Sequence, residues 1–286
     1  MLARCFVALQ YVLPQHLLSR LVGALARSSW PWIRTPLLGF FLRTYRPELG
    51  DALRPDPASY TSFNDFFTRA LKPGARPLPA LAGQIASPVD GRISALGTSA
   101  RGRVLQAKDR HYSLQALLTG DERLTRLVQD GVFMTVYLAP YNYHRIHMAL
   151  GARLVGAWYV PGRLFSVNDV TARRVPALFA RNERLILEFS GEYGSHLQVW
   201  VGALFVGSMS TVWHGVVAPR RAPCALPLPA SALAPLPLGA ELGHFNMGST
   251  VILLFPPGAA HWNGVEAGQA LRVGQLIGRA GTSLEP

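Results

Sequence analysis

From Ile85 onward the chain is a succession of short apolar runs separated by turn residues: Gly91–Leu96, Val132–Leu138, Arg153–Val160, Leu185–Phe189, Leu197–Val206, Thr211–Val217, Thr250–Phe255 and Leu271–Ile277. Runs of this length, rich in branched and aromatic side chains, read as β-strands. Two short helices are expected among them, near Ser113–Leu118 and Thr125–Val128. A further helix is expected from about Ser62 to Ala70, with Ser62 as N-cap, Asp65 at the third position and Lys72-Pro73-Gly74 as its stop. The first 46 residues are helical in pattern. The expected fold class is therefore α+β, a helical N-terminal segment on a strand-rich core folded as a barrel or sandwich. The stretch 218–239 holds six prolines in 22 residues and reads as a loop or linker that tethers the segment C-terminal to it.

Residues 1–46 carry Arg4, Arg20, Arg27, Arg34, Arg43 and Arg46 and no acid. The longest uncharged run, Cys5–Ser19, contains Gln10, Pro14, Gln15 and His16. It falls short of the roughly 20 apolar residues that a spanning helix needs, and no small-residue cleavage site marks a secretory signal. Trp, Leu and Phe interleaved with Arg suit helices that lie in a membrane interface; the plain alternative is helices packed on the core. Over the whole chain Lys+Arg is 28 and Asp+Glu is 16, a net charge of +12, with lysine only at positions 72 and 108. Such a balance points to a polyanionic partner. The basic residues are spread and form no recognisable module, so nucleic acid is not the expected one. Cys5 and Cys224 have neither CxxC nor Cys-His zinc spacing, so neither a disulfide framework nor a structural zinc is expected.

Four segments could carry chemistry. Phe245-Asn246-Met247-Gly248-Ser249-Thr250 places a hydroxyl next to a residue whose carbonyl is open to attack. The Ser249 hydroxyl can add to the Gly248 carbonyl if a base and oxyanion donors are present; alone, the sequence is an ordinary turn. In Tyr141-Asn142-Tyr143-His144-Arg145-Ile146-His147 the two histidines are three apart and would share one side of a helical turn, as a metal pair, an acid–base pair or a structural cap. Asp90, in Ser87-Pro88-Val89-Asp90-Gly91, is either an Asx-turn residue or the orienting carboxylate of a Ser-His-Asp set. The fourth segment is Gly162-Arg163-Leu164-Phe165-Ser166-Val167-Asn168.

Together with "SFNDFFTRALKPGARPL", "LFARNERL", "VGALFVGSM" and the closing "GQLIG", these collinear segments resemble the bacterial phosphatidylserine decarboxylase proenzymes over about residues 60–286. Two departures are local: Ala149 stands where the family often has Pro, and the 218–239 stretch is lengthened or degenerate. The resemblance implies a precursor that cuts itself between Gly248 and Ser249, into a large chain 1–248 and a small chain 249–286. It implies Ser249 as nucleophile, His147 as its base and Asp90 as the residue holding His147. It also implies that Ser249 becomes a pyruvoyl group, which forms a Schiff base with phosphatidylserine and releases CO2 and phosphatidylethanolamine in phospholipid biosynthesis. A self-made ketone needs no lysine anchor, which suits a chain with two lysines. His144 is the implied acid for decarboxylation, and Ser166 and Asn168 line the headgroup pocket; no metal is implied. The expected layout is a basic amphipathic membrane-association region, 1–60, and a catalytic region, 61–286, peripheral on the cytoplasmic face of the inner membrane. A homodimer of the processed unit is left open. The competing readings are an uncut lipid-binding relative and a zinc hydrolase built on His144 and His147.

Overall fold

Three helices open the chain: α1 (Leu2–Val12), α2 (Gln15–Arg27) and α3 (Pro31–Tyr45). The computed structural model describes residues 2–107, 110–204, 208–217, 219–247 and 249–281. Pro14 stands just before α2 and Pro31 in the first turn of α3, where a missing N–H costs nothing. No helix among the described residues is long and apolar enough to cross a membrane. In α2 the usual polarity is reversed: Gln15, Ser19, Gly23 and Ala26 face inward, while Leu17, Leu21 and Leu25 are about half exposed.

The next helix, α4 (Phe63–Phe67), begins as expected, with Ser62 Oγ accepting from Asp65 N at 3.1 Å. It stops three residues short of Ala70. Thr68 turns its hydroxyl onto the Asn64 carbonyl, 2.9 Å, and the chain leaves to form a bridge between Leu71 and Ala52. Phe41 of α3 packs edge-on against Phe63, Phe66 and Phe67 of α4, and with Ala26, Leu38 and Tyr60 these make a satellite core.

The main core lies on an eight-stranded antiparallel sheet. From edge to edge its order is Cys224–Ala225, Arg153–Val160, Arg184–Gly191, Gly194–Val201, Ser249–Phe255, Val132–Leu138, Gly91–Thr98 and Ala270–Leu271. Every residue of Ser249–Phe255 is buried, as its unbroken apolar run requires of a strand covered on both faces. A four-stranded sheet joins Gly215–Val216, Met209–Thr211, Glu241–Phe245 and Arg145–His147. Two smaller sheets complete the fold, Gln84–Ala86 with Leu276–Ala280 and Ala260–Trp262, and Arg103–Ala107 with Arg110–Ser113. The α+β class holds, but among the described residues the sheets stay open and close into no barrel.

Three expectations on strands and turns change. The run 271–277 belongs to two sheets, because the chain turns at Gly274 (φ 81°). Thr211–Val217 is a hairpin rather than one strand. The strand expected over 197–206 ends at Val201, and Phe205 and Val206 lie outside the described residues. The proline-rich stretch is irregular as expected, yet pinned to the sheet edge: Leu226 N donates to Ala157 O (2.8 Å), and Leu236 exchanges two backbone bonds with Ala152.

Candidate active site

Ser249 is the first residue of the innermost strand, hydrogen-bonded in register to Leu138 on one flank of that strand. It is fully buried, and its Oγ has no hydrogen-bond partner among the described residues; the Oγ1 of Thr250 has none there either. A buried hydroxyl left unpaired costs about 1–3 kcal/mol, so the fold keeps it there against stability. Gly248 lies outside the described residues.

His144 reaches the same region by a loop that leaves Leu138 and returns. Phe245 N, just before the Gly-Ser segment, donates to the His144 carbonyl at 3.1 Å. The His144 imidazole is fully buried under Phe67, ring centroids 4.0 Å apart. Its Nδ1 lies 2.8 Å from the Asn142 carbonyl, which must be the acceptor, so Nδ1 carries the proton and Nε2 a bare lone pair. That Nε2 has no partner among the described residues. Burial pushes the imidazole down to about 3, so it is neutral at physiological pH.

The two histidines do not share a helical turn. Arg145–His147 is a strand, paired with Glu241–Phe245, so positions three apart fall on opposite faces. His147 has both nitrogens engaged: Nδ1 donates to Gly239 O (2.9 Å) and Nε2 accepts from Tyr143 OH (3.0 Å). Burial lowers its pKa and raises that of Tyr143, so the pair is neutral.

Asp90 sits close in sequence to the carbonyl of Pro88, which accepts from His147 N at 2.8 Å. Its carboxylate is nevertheless held elsewhere. Arg76 Nε and Nη2 donate to its two oxygens at 3.1 and 2.7 Å, and Val273 N donates to Oδ1 at 2.7 Å. Gly91 permits this packing: a Cβ there would stand 2.5 Å from the Tyr137 carbonyl oxygen. The structure thus brings Asp90 and His147 onto touching segments, with Arg76 and Tyr143 as their side-chain partners.

Ser166 and Asn168 serve the loop they belong to. Ser166 N donates to Gln10 Oε1 at 2.7 Å, and Asn168 Oδ1 caps the helix Asp169–Ala172 by accepting from Thr171 N at 3.0 Å. From this segment it is Asp169, Ala172 and Arg173 that line the adjoining cavity of about 1050 Å³, with Arg69, Tyr137, Asn142 and Tyr143 on its other walls. Sequence reasoning singled out neither Arg69 nor Asn246. Asn246 is buried and anchors the Gly-Ser segment, its Nδ2 donating to the Ser208 hydroxyl (2.7 Å) and its Oδ1 accepting from Asn64 (3.4 Å). Among the described residues no three His, Cys, Asp or Glu side chains are grouped to hold a metal ion.

Residues 63–279 match the family model for phosphatidylserine decarboxylase, and residues 5–46 match a second model described as PSD. A phosphatidylserine decarboxylase proenzyme of Methylibium petroleiphilum is 49% identical over 273 residues, covering 95% of this chain and 96% of the relative. Proenzymes of the same description from Ectopseudomonas mendocina (47% identical, 97% of this chain, 98% of the relative) and Stutzerimonas stutzeri (48%, 91% and 88%) also align over most of their length.

Proposed function

The chain belongs to the phosphatidylserine decarboxylase family and decarboxylates phosphatidylserine; we propose that it does so after cutting itself at Gly248–Ser249 to make a pyruvoyl group. The observation that carries this reading is the unpartnered, fully buried hydroxyl of Ser249 at the head of the central strand. In the cut, Ser249 Oγ adds to the Gly248 carbonyl carbon, and the Ser249 nitrogen leaves as an amine, converting amide to ester. A base then removes the Ser249 Cα proton, and the Gly248 carboxylate departs from Cβ. The dehydroalanine left behind isomerises and hydrolyses, releasing ammonia. The products are chains 1–248 and 249–286. They stay one folded unit, because Ser249–Phe255 is hydrogen-bonded to a strand on each side and Val273 N holds Asp90.

His147 takes the hydroxyl proton of Ser249 in this scheme, oriented by Asp90. Three contacts must first exchange: Tyr143 leaves His147 Nε2, His147 Nδ1 leaves the Gly239 carbonyl, and Arg76 gives up an Asp90 oxygen. The pyruvoyl group supplies a ketone for the lipid amine and an adjacent carbonyl that takes up the electron pair when CO2 leaves. His144 manages the proton. Once protonated at its unpartnered Nε2, it gives that proton to Cα after CO2 has gone. The reversed polarity of α2 and the acid-free N-terminal helices support peripheral attachment to anionic lipid, on the cytoplasmic face of the inner membrane.

A second reading rests on His144 Nε2 being the bare base of the continuous chain, while His147 is engaged: His144 then deprotonates Ser249 itself. Intact mass separates the two. Ser249→Ala should give one chain near 31.2 kDa. His147→Ala and Asp90→Asn should block or greatly slow the cut, and His144→Ala should mature yet release no CO2. A cut Ser249→Ala chain overturns the nucleophile, and an uncut His144→Ala chain with a mature His147→Ala chain favours the second reading.

A further inference from the structure

Arg69 is a buried cation to which no carboxylate among the described residues is bonded. The residue is 3% exposed; its Nη2 donates to the carbonyls of Tyr141 (3.2 Å) and Asn142 (3.5 Å), while Nε and Nη1 have no partner. The carboxylate of Asp90 acts on it from nearby, yet both Asp90 oxygens are bonded to Arg76. A guanidinium keeps its charge when buried, and leaving two of its N–H edges unpaired costs free energy that an anion would recover. The place for one is at hand, since Arg69 lines the cavity of about 1050 Å³. The Asn142 carbonyl accepts from Arg69 Nη2 and from His144 Nδ1, so guanidinium and imidazole flank a single oxygen. Unpaired donors and an unpaired proton acceptor therefore stand side by side, buried at the cavity wall, and the Arg69 guanidinium presents its donors by turning into the cavity.

Phosphatidylserine brings two anions near its reacting amine, a carboxylate and a phosphodiester. Negative charge leaves the carboxylate as CO2 departs. A guanidinium bound there would hold the ground state more tightly than the transition state and slow the reaction. The phosphodiester keeps its charge from substrate to product, and its paired oxygens suit the fork of an arginine. We propose that Arg69 binds the headgroup phosphodiester through Nε and Nη1, in the cavity beside His144. The proposal rests on the reading that the lipid amine reacts at the His144–Ser249 centre.

A contact that persists from substrate to product is uniform binding, which sets KM and leaves kcat alone. The test uses processed enzyme with dioctanoyl phosphatidylserine in neutral-detergent micelles, CO2 release as readout and dioctanoyl phosphatidylethanolamine as product inhibitor. Arg69→Gln should mature, by intact mass. Its KM and the product Ki should each rise about ten- to hundred-fold, with kcat near wild type. Arg69→Lys should show a smaller rise in both. Unchanged KM and Ki overturn the proposal. A raised KM with unchanged Ki assigns the anion to the carboxylate and also overturns it, as does a fall in kcat alone. Should Arg69→Gln not mature, Arg69→Lys carries the same comparison. The wild-type enzyme gives an arm of its own: it must be inhibited competitively by dioctanoyl phosphatidylethanolamine and not by dioctanoylglycerol, which lacks the phosphodiester; equal inhibition by both overturns the proposal. Failure of the site reading shows separately, as a cut Ser249→Ala chain.

Discussion

His144 and His196 are both fully buried, and burial pushes both imidazoles down to about 3. They differ in what surrounds them. His144 is fixed by Asn142 and keeps one nitrogen open at the candidate centre, whereas His196 is stacked between Phe189 and Phe255 with no partner on either nitrogen. Unfolding returns each to an ordinary histidine, so between about pH 6.5 and 3 the unfolded chain binds the extra protons. The stability tied to each neutral ring is present in full above that window and is lost as pH falls through it. In the uncut Ser249→Ala background, His196→Leu should therefore narrow the stability difference between about pH 7 and pH 5 by about 2 kcal/mol, in urea unfolding at the two pH values; an unchanged gap would show that His196 is protonated in the fold. Ser249, His144, His147 and Asp90 were legible through the collinear motifs around them, not through spacing. The His-x-x-His spacing suggested a helical turn, and a strand pairing between Arg145 and His244 decides otherwise. Arg69 and Asn246 lie inside those motifs, but their roles were not legible, because what they touch is 72 and 38 residues away.

At the scale of elements, α1 and α2 do more than coat the surface. Gln10, in α1, and Gln15, at the start of α2, are almost wholly buried, and their Oε1 atoms accept from Ser166 N (2.7 Å) and Leu164 N (2.8 Å). The loop that carries Ser166 and Asn168 has no sheet partner there, so two side chains satisfy backbone groups that a neighbouring strand would otherwise take. Gln10→Ala or Gln15→Ala leaves one buried N–H without an acceptor, and each should cost about 1–3 kcal/mol. Thermal unfolding of the Ser249→Ala chain would measure it, with Gln10→Glu, which keeps the acceptor, as the control; equal loss in Glu and Ala variants would refute the acceptor role. Helices were legible as elements because proline and serine punctuate them, and the long strands because their apolar runs are unbroken. The length of α4 was not, since Thr68 ends it by a side-chain bond that competes with the helical ladder. The short strand Glu241–Phe245 escaped notice because its pairing with Arg145–His147 and Met209–Thr211, not its own pattern, makes it a strand.

For the whole molecule the question is how a fold with no membrane-spanning helix among the described residues meets a substrate that lives in a bilayer. The net charge of +12 is unevenly placed: residues 1–46 hold six arginines and no acid, and the 249–286 segment balances Arg272 and Arg279 with Glu266 and Glu285. On the same N-terminal helices a set of large apolar side chains points outward. Leu17, Leu21 and Leu25, spaced by four, are 50%, 54% and 48% exposed along one face of α2, and Trp30 and Trp32 come next at 60% and 68%. Gln15, Ser19, Gly23 and Ala26 fill the inward face with polar and small side chains, so exposure of the leucines is built in rather than left over. Behind that face α3 and α4 share a cluster of phenylalanines, and Phe67 of α4 lies on the His144 ring, which gives the N-terminal helices a packed connection to the candidate centre. Attraction of arginines to anionic lipid is worth about 1 kcal/mol each near the surface and is screened by salt, whereas burial of the half-exposed leucines is not. The two contributions can therefore be separated. Binding of the Ser249→Ala chain to phosphatidylcholine vesicles containing phosphatidylglycerol should exceed binding to phosphatidylcholine alone, and the excess should fall as salt rises. Leu17→Ser with Leu21→Ser forfeits about 1 kcal/mol of burial per side chain, and should weaken binding by about thirty-fold at every salt concentration. Sedimentation of the variants with vesicles checks both, and a double variant that binds as well as its parent would remove α2 from the membrane contact.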